Sequence, residues 1–281
     1  NYDKKDGYYQ RLVFAGDGSP VTRALTDPVS VARLGVFTPQ EYAPSFSDWN
    51  FGYDLTATYK PARGMLVYAT YAKTFKSGGI NQNGVPTDGA GNPLLGAATI
   101  RPEAVDHYEA GLKTEYWNGK GTFNLAIFRT DIGDYQANVN NGQFGVLRGY
   151  LANADKVRTQ GIEADLSARP TDRLSLYVSG AFTDANYVRF VDAPCPPELS
   201  GGSSGAVPSA PGTPGVSPAS CDISGQRLPG VSRWSASFGG EYALPATIAG
   251  REGQAYLGVD GSYRSTFSSN PSRSRYTDIA G

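Results

Sequence analysis

Histidine, methionine and cysteine are scarce: the 281-residue chain has one, one and two of them. Imidazole and thiolate metal centres need three or four such ligands, so the composition argues against a His- or Cys-based metal enzyme. Charge of one sign is also lacking. With 25 basic and 26 acidic residues the formal net charge is −1, which gives no electrostatic footprint for nucleic acid. No run of about 18 apolar residues occurs, which excludes a membrane-spanning helix but not a spanning strand, whose signal alternates. No basic and apolar leader opens the chain, which starts NYDKKDGYYQ, so a mature, truncated or partial sequence is expected. The runs GGIN and GGSSG match neither a dinucleotide fingerprint nor a Walker sequence and read as turns and loops.

Aromatics are what the chain has in quantity, at 12% with 18 tyrosines, and they fall on a period of two. In SDWNFGYDLTATYKPARG, Trp49, Phe51, Tyr53, Leu55, Ala57 and Tyr59 alternate with Asp48, Asn50, Gly52, Asp54, Thr56 and Thr58. Strict alternation of this kind predicts a strand with one apolar and one wet face. The pattern returns through Ile162 to Ala168, Leu174 to Phe182 and Trp234 to Leu244, with weaker copies near 8–14, 65–76, 104–117, 121–133 and 254–266. In the 65–76 copy neither parity is cleanly apolar. Such segments run about 11 to 14 residues, roughly twice the usual strand of a soluble domain. A strand of about 12 residues rises about 40 Å and, tilted by about 40–45°, covers about 30 Å along a bilayer normal.

Connections alternate in size. KPARG (60–64), NGKG (118–121), PTDR (170–173) and LPATIAGREG (244–253) are short, whereas 15–46, 77–102, 134–156 and 188–231 are long and polar. Short turns on one rim and long loops on the other are the arrangement of outer-membrane barrels. Tyr59, Tyr116, Trp117 and Tyr242 lie beside the short turns, with Trp49 and Trp234 at the opposite ends, as two interfacial girdles require. Asp54, Glu163, Asp165, Glu241 and Asp260 fall on the wet face and suit a water-filled or plugged lumen better than a dry core. The expectation is all-β: an antiparallel transmembrane β-barrel segment.

Three stretches in order and spacing carry a resemblance: YAKTFKSGG at 71–79, RPEAVDHYEAGLK at 101–113 and GIEAD at 161–165. Residues 48–187 resemble the C-terminal barrel half of TonB-dependent outer-membrane receptors. That resemblance implies a barrel of about 22 strands occluded by an N-terminal plug, which binds a scarce substrate (a ferric siderophore, haem, cobalamin or a carbohydrate) at external loops. Import would draw its energy from the inner-membrane TonB complex. The partners implied are that complex, outer-membrane lipid and lipopolysaccharide, and the substrate itself. About nine strands, with a further start at RYTDIAG, amount to 9 or 10 of the presumed 22, and no plug or TonB box is recognisable. The chain therefore reads as an internal barrel segment that lacks the plug and the closing strands. A passive diffusion barrel is the alternative, and no nucleophile, base and orienting group converge to suggest an enzyme.

Site candidates follow from position. Cys195 and Cys221 lie in one Pro-, Gly- and Ser-rich link, and an even count in an oxidising exterior suggests a disulfide rather than two free thiols or a metal site. His107 reads as a polar lumen or rim residue. Tyr135, Asn140, Asn141, Arg148 and Tyr150 lie in a long link where recognition is expected. No cofactor is called for.

Overall fold

The fold is known from a computed structural model, which describes residues 1–281 except 23–38, 83, 86–91, 141–148, 192, 194–220 and 270–276. Four short strands come first: β1 (Tyr2–Asp6), β2 (Tyr9–Arg11), β3 (Gln40–Tyr42) and β4 (Ser45–Trp49). Next are β5 (Tyr53–Ala62), β6 (Met65–Lys76), the short β7 (Gly79–Ile80) and β8 (Thr99–Ile100), then β9 (Glu103–Tyr116) and β10 (Gly121–Asn140). The series ends with β11 (Gly149–Thr171), β12 (Leu174–Arg189), β13 (Trp234–Ile248), β14 (Arg251–Arg264), β15 (Phe267–Ser268) and β16 (Asp278–Ile279). Eight of them form one antiparallel sheet in the order β14-β13-β12-β11-β10-β9-β6-β5, each paired with its neighbour in the chain apart from the excursion between β6 and β9.

Register gives the sheet two unlike faces, because directly opposed residues point the same way and successive residues alternate. One cross-strand row runs Ala69, Ala110, Ile127, Ile162, Phe182, Trp234. Below it lie Val67, Leu112, Leu125, Ala164, Gly180, Ala236, Tyr263, and then Phe123, Leu166, Val178, Phe238. No charged residue interrupts these rows. On the other face the row Lys113, Asn124, Asp165, Ser179, Ser237, Ser262 is polar throughout. Asp54, Glu163, Glu241 and Asp260 share that wet face, as the alternation predicts. It also resolves β6: Val67, Ala69 and Tyr71 belong to the apolar face, Leu66, Tyr68 and Thr70 to the wet one.

The apolar face is uncovered, with Leu55 69%, Val259 65% and Leu257 71% exposed. From Trp234 to Leu244 the apolar set covers about 34 Å along β13 and, tilted by about 40–45°, about 25 Å of height, the depth of an outer-membrane barrel's apolar band. Among the described residues no helix is long and apolar enough to cross a membrane, so any crossing falls to the strands.

Strand glycines are filled from next door. A Cβ at Gly111 would stand 2.5 Å from the Tyr68 ring and one at Gly239 2.5 Å from the Tyr177 ring, so these tyrosines lie over the neighbouring backbone and cover it.

All four short connections share one rim. Arg63–Gly64 and Asp172–Arg173 close two-residue turns, and Trp117–Lys120 a four-residue one with φ positive at Trp117, Asn118 and Gly119. The stretch read as a connection at 244–253 is mostly ladder: Ile248 pairs with Arg251 around Ala249–Gly250, both at positive φ, the twist-matched hairpin turn. Three of the four are tied to the next strand, Glu115 N to Gly64 O at 2.7 Å, Arg169 N to Lys120 O at 2.7 Å and Ala243 N to Arg173 O at 2.8 Å.

Four further expectations change. Alternation from 48 to 59 is split: Trp49 pairs with Tyr2 in a two-stranded ribbon, and the wall begins at Tyr53, because a period of two records side-chain direction and not the hydrogen-bonding partner. The weak copy near 8–14 yields the three-residue strand β2, outside the wall, and the described part of RYTDIAG, 277–281, forms the short strand Asp278–Ile279 paired with β15. The link 134–156 is largely paired, since β10 and β11 continue in register out to Asn140 opposite Gly149. Alternation does continue there, with Tyr135, Ala137 and Val139 against Gln136, Asn138 and Asn140, but over a stretch too short to stand apart from the polar link around it.

The two faces make a directional prediction. In the full-length protein refolded into lipid vesicles, Leu166→Arg is expected to lower stability by about 2–4 kcal/mol. Ser262→Arg, one row away on the wet face, should cost under about 1 kcal/mol. Urea titrations followed by tryptophan fluorescence measure both.

Candidate functional site: the long-loop rim

Above the last apolar row the chemistry changes within two residues. The next row is Tyr71, Tyr108, Arg129, Gln160, Asp184, and the one beyond is Lys73, Asp106, Asp131, Arg158, Asn186. Tyr71 stacks on Tyr108 at 5.0 Å and meets Tyr53 edge-on at 5.7 Å, and Trp234 packs on Phe182 at 4.7 Å. These rings form one aromatic girdle. Tyr116 and Trp117, 5.0 Å apart at the short-turn rim, belong to the other.

Beyond the charged rows the long-loop side builds a cap held by polar side chains. The RPE triplet, with neighbouring Gln136 and Asn153, locks the segment before β9 to the β10–β11 ribbon. Arg101 grips Asp134 Oδ1 through Nε and Nη2 at 2.8 and 2.6 Å. Its backbone N–H donates to Asn153 Oδ1 at 2.9 Å, and Asn153 Nδ2 returns bonds to Arg101 O at 3.0 Å and Asp134 O at 2.6 Å. Asp134 takes φ +53°, a conformation Asp tolerates better than most residues. Glu103, only 6% exposed, accepts from Gln136 N at 2.8 Å and from Lys76 Nζ at 3.3 Å. Gln136 Nε2 then donates to Ser77 O at 2.9 Å and Arg101 O at 3.2 Å.

Two buried amides act as substitute peptide groups. Asn81 donates through Nδ2 to Ala97 O at 2.6 Å and Leu151 O at 3.0 Å, while its Oδ1 accepts from Leu151 N at 3.2 Å. Gln40 treats Val85 the same way, donating to its carbonyl at 2.6 Å and accepting from its N–H at 3.1 Å. Together they fasten the β6–β9 excursion between β3 on one side and β11 on the other. Tyr42, 6% exposed, packs with Val85 and Ala98, and burial, reinforced by Tyr9, raises its hydroxyl to about 12 despite the opposing pull of Arg11 and Gly84. Sequence reading missed Asn81, Gln40 and Gln136. Their only signal is an amide next to apolar or glycine residues, and many exposed amides show that too.

The driest region lies here as well. Ala137, Ala154, Val157, Ala185, Tyr187, Phe190, Ala193, Cys221, Ile223 and Leu228 pack together, with Tyr135 against Tyr187 at 6.3 Å. The returning end of the link after β12 supplies Cys221, Ile223 and Leu228, and Cys221 bridges Ala193 by paired backbone bonds of 3.1 and 2.7 Å.

The sequence candidates are thus distributed unevenly. Cys221 is fully buried and no described cysteine is a free thiol; Cys195 lies outside the described residues. Tyr135 has its ring committed to the cap's core. Asn140 and Tyr150 occupy the tip of the β10–β11 ribbon, opposite Gly149 and Val139, while Asn141 and Arg148 lie outside the described residues. His107 faces the lumen side, with Nδ1 2.9 Å from Thr130 Oγ1 and Nε2 3.5 Å from Glu109. Glu109 also accepts the Tyr68 hydroxyl at 2.5 Å. The wet face further holds a concavity of about 720 Å³ whose lining includes Glu163, Asp165, Ser179, Ser235 and Ser237.

Comparison with known proteins now decides the family. The "TonB dependent receptor-like, beta-barrel" pattern matches residues 22–280. The chain belongs to this family, whose members are outer-membrane β-barrels. It is 28% identical over 134 residues to PbuA, a ferric-pyoverdine receptor of a Pseudomonas species, covering 46% of this chain and 14% of that protein. In fold it resembles the ferric yersiniabactin uptake receptor FyuA of Yersinia pestis, with TM-score 0.61, 17% identity, and 87% of this chain against 30% of that one. BauA, the ferric preacinetobactin receptor of Acinetobacter baumannii, gives TM-score 0.52 at 15% identity, with 86% of this chain and 29% of that one covered. The chain spans about a third or less of the length of these relatives.

The amide staples lead to a local prediction. Asn81→Ala strands the Leu151 peptide group without its partner, a loss of about 1–3 kcal/mol. In the full-length receptor the Leu151 amide should exchange with deuterium roughly 5- to 150-fold faster, while amides in the middle of β11 stay unchanged.

Proposed function

We propose that the receptor containing this barrel wall imports a ferric siderophore across the outer membrane, drawing energy from the TonB complex through its N-terminal region. The observation that carries this reading is the pairing of a two-faced wall with a cross-braced external cap. The wall supplies an acid-rich, hydrated lumen, and the cap supplies a rigid platform from which the β10–β11 ribbon projects loop residues. A ligand too dilute and too large for a passive pore needs tight capture, and release then needs work from outside. The siderophore receptors among its relatives favour that substrate class over haem, cobalamin or a carbohydrate. A plug domain would fill the lumen, and Asn140 and Tyr150 at the ribbon tip, together with Asn141 and Arg148 of the chain segment that joins its strands, would meet the ligand. Tyr135, packed beneath them, would fix the ribbon's angle.

The test is import of radiolabelled iron by the full-length protein in a Gram-negative host lacking its own siderophore receptors, supplied with catecholate, hydroxamate and mixed-type ferric siderophores. At least one should support TonB-dependent import, and collapsing the proton-motive force should stop import while leaving surface binding intact. Import that persists without TonB would establish the passive diffusion barrel instead.

We further infer a disulfide between Cys195 and Cys221, supported by the burial of Cys221 and by a chain holding two cysteines in all. Closing a loop of about 27 residues contributes roughly 3 kcal/mol. Thiol titration of the unreduced, denatured protein should find no reactive thiol; finding two would eliminate the bridge.

A further inference from the structure

Three concavities on the wet face differ in charge. The one of about 720 Å³ sets Glu163 and Asp165 against Arg264. Another, of about 490 Å³, sets Lys120 and Arg169 against Glu241 and Asp260. A third, of about 590 Å³, is walled by the β5–β6 turn, β9 and β10, and holds Lys60, Arg63 and Lys113 against Glu115 alone. The surplus is one acid in the first, nothing in the second and two cations in the third. Toward the long-loop rim cations stand beside acids: Lys73 is 3.4 Å from Asp106, and Arg129, Arg158 and Lys156 surround Asp131 at 2.8, 2.7 and 3.9 Å. Among the described residues no carboxylate pairs with Lys60, Arg63 or Lys113. Lys113 is instead held with its ammonium 5.5 Å above the Tyr68 ring, a contact that positions the charge without neutralising it. The concavity opens at the short-turn end of the lumen, where Glu115, two residues nearer the turn than Lys113, donates its N–H to Gly64 O at 2.7 Å.

We propose that this concavity is an exit station for an anionic ferric chelate, met by the ligand as it leaves the lumen. The inference rests on the transport reading and adds to it a second binding surface and the sign of the cargo's charge. Three observations point to that ligand. The surplus cations are pre-set and unneutralised, and the Arg63 guanidinium offers a fork that matches paired anionic oxygens. The volume falls within the range of about 300–1,000 Å³ of small-molecule sites, more than a single inorganic anion fills. The site also shares its face with Asp165 and Glu163 and not with the apolar rows, so lipid does not reach it. Catecholate arms bring two negative charges each and overcompensate a ferric ion, whereas hydroxamate arms bring one each and only balance it. An overcompensated complex is repelled by the carboxylates higher on the wet face and attracted at the short-turn mouth, which biases its movement in one direction.

The test measures import of radiolabelled iron by the full-length protein, supplied as a ferric tris-catecholate or as a neutral ferric tris-hydroxamate, with surface binding read in parallel after collapse of the proton-motive force. Arg63→Gln/Lys113→Gln leaves Lys60 against Glu115 and so removes the surplus. It should lower the maximal rate of tris-catecholate import by about fivefold or more while surface affinity stays within about twofold. Lys120→Gln/Arg169→Gln, an equal charge change on the same rim, should alter that rate by less than about twofold. Any neutral complex that the wild type imports should keep its rate in both variants. Unchanged tris-catecholate import in the first variant, an equal loss in both variants, or wild-type import confined to neutral complexes would overturn the proposal. Should the first variant fail to reach the outer membrane, Lys113→Gln alone carries the test, with an expected loss of about threefold. Failure of the wild-type protein to import any ferric siderophore is a separate outcome, which refutes the transport reading and the exit station with it.

Discussion

Everything in this wall depends on an unbroken cross-strand register. A strand rotates its side chains by half a turn per residue, so a slip of one position would carry every apolar side chain to the wet face. These rows extend over four to seven strands without mixing character, and the pairing from β5 to β14 is therefore fixed as much by side chains as by backbone. Backbone pairing is itself compulsory wherever the surroundings hold no water, because each unpaired amide in hydrocarbon costs several kcal/mol. The short turns serve the same end. Where two residues suffice, as at Arg63–Gly64 and Asp172–Arg173, the loop length leaves little freedom to slip, and the bonds from one turn to the next strand tie neighbouring hairpins together.

How much of this was legible in the sequence follows from the same periodicity. Alternation recovered the wall because its two faces meet different solvents. It placed Asp54, Glu163, Asp165, Glu241 and Asp260 on the wet side, and it sorted the connections by rim. It could not tell that Trp49 pairs with Tyr2 while Tyr53, four residues on, pairs with Lys73, since both strands alternate in the same phase. It also did not single out residues 134–140 and 149–156, where the strands leave the wall and pack on the cap's small core. Motif resemblance filled a different gap: the RPE triplet marked a place that matters without revealing why. The geometry supplies the reason, a guanidinium fork on Asp134 and a buried Glu103 holding the Gln136 backbone. Asn81 and Gln40 were invisible because a side-chain amide that replaces a peptide group leaves no pattern in the chain; only its two backbone partners define it.

The wall and the cap are stabilised by different physics. In the wall little is buried between layers, and cohesion comes from ladder bonds, from rings laid over glycine on the next strand, and from the solvent each face meets. In the cap a small dry core around Tyr187, Val157 and Cys221 is bounded by polar clamps whose members are satisfied by backbone. Apolar packing alone would let the ribbon slide. Bidentate and amide contacts define direction as well as energy, which a recognition surface carried on loops requires.

The sheet also sorts its charge by function. On the wet face carboxylates predominate over cations such as Lys113, and Glu109 and Glu163 occupy neighbouring rows beside the Tyr68 hydroxyl, an arrangement that favours a hydrated passage or a basic surface docked against it. On the apolar face charge is excluded for the full depth of the aliphatic rows and then returns at once, with the cationic sign in excess around Asp131. A single ladder can hold both distributions because alternate residues answer to different surroundings. Arg129 and Thr130 are adjacent in the chain, yet one is aimed at the outer boundary and the other, bonded to His107, at the lumen. The chain's near-zero net charge conceals this partition, which the register creates.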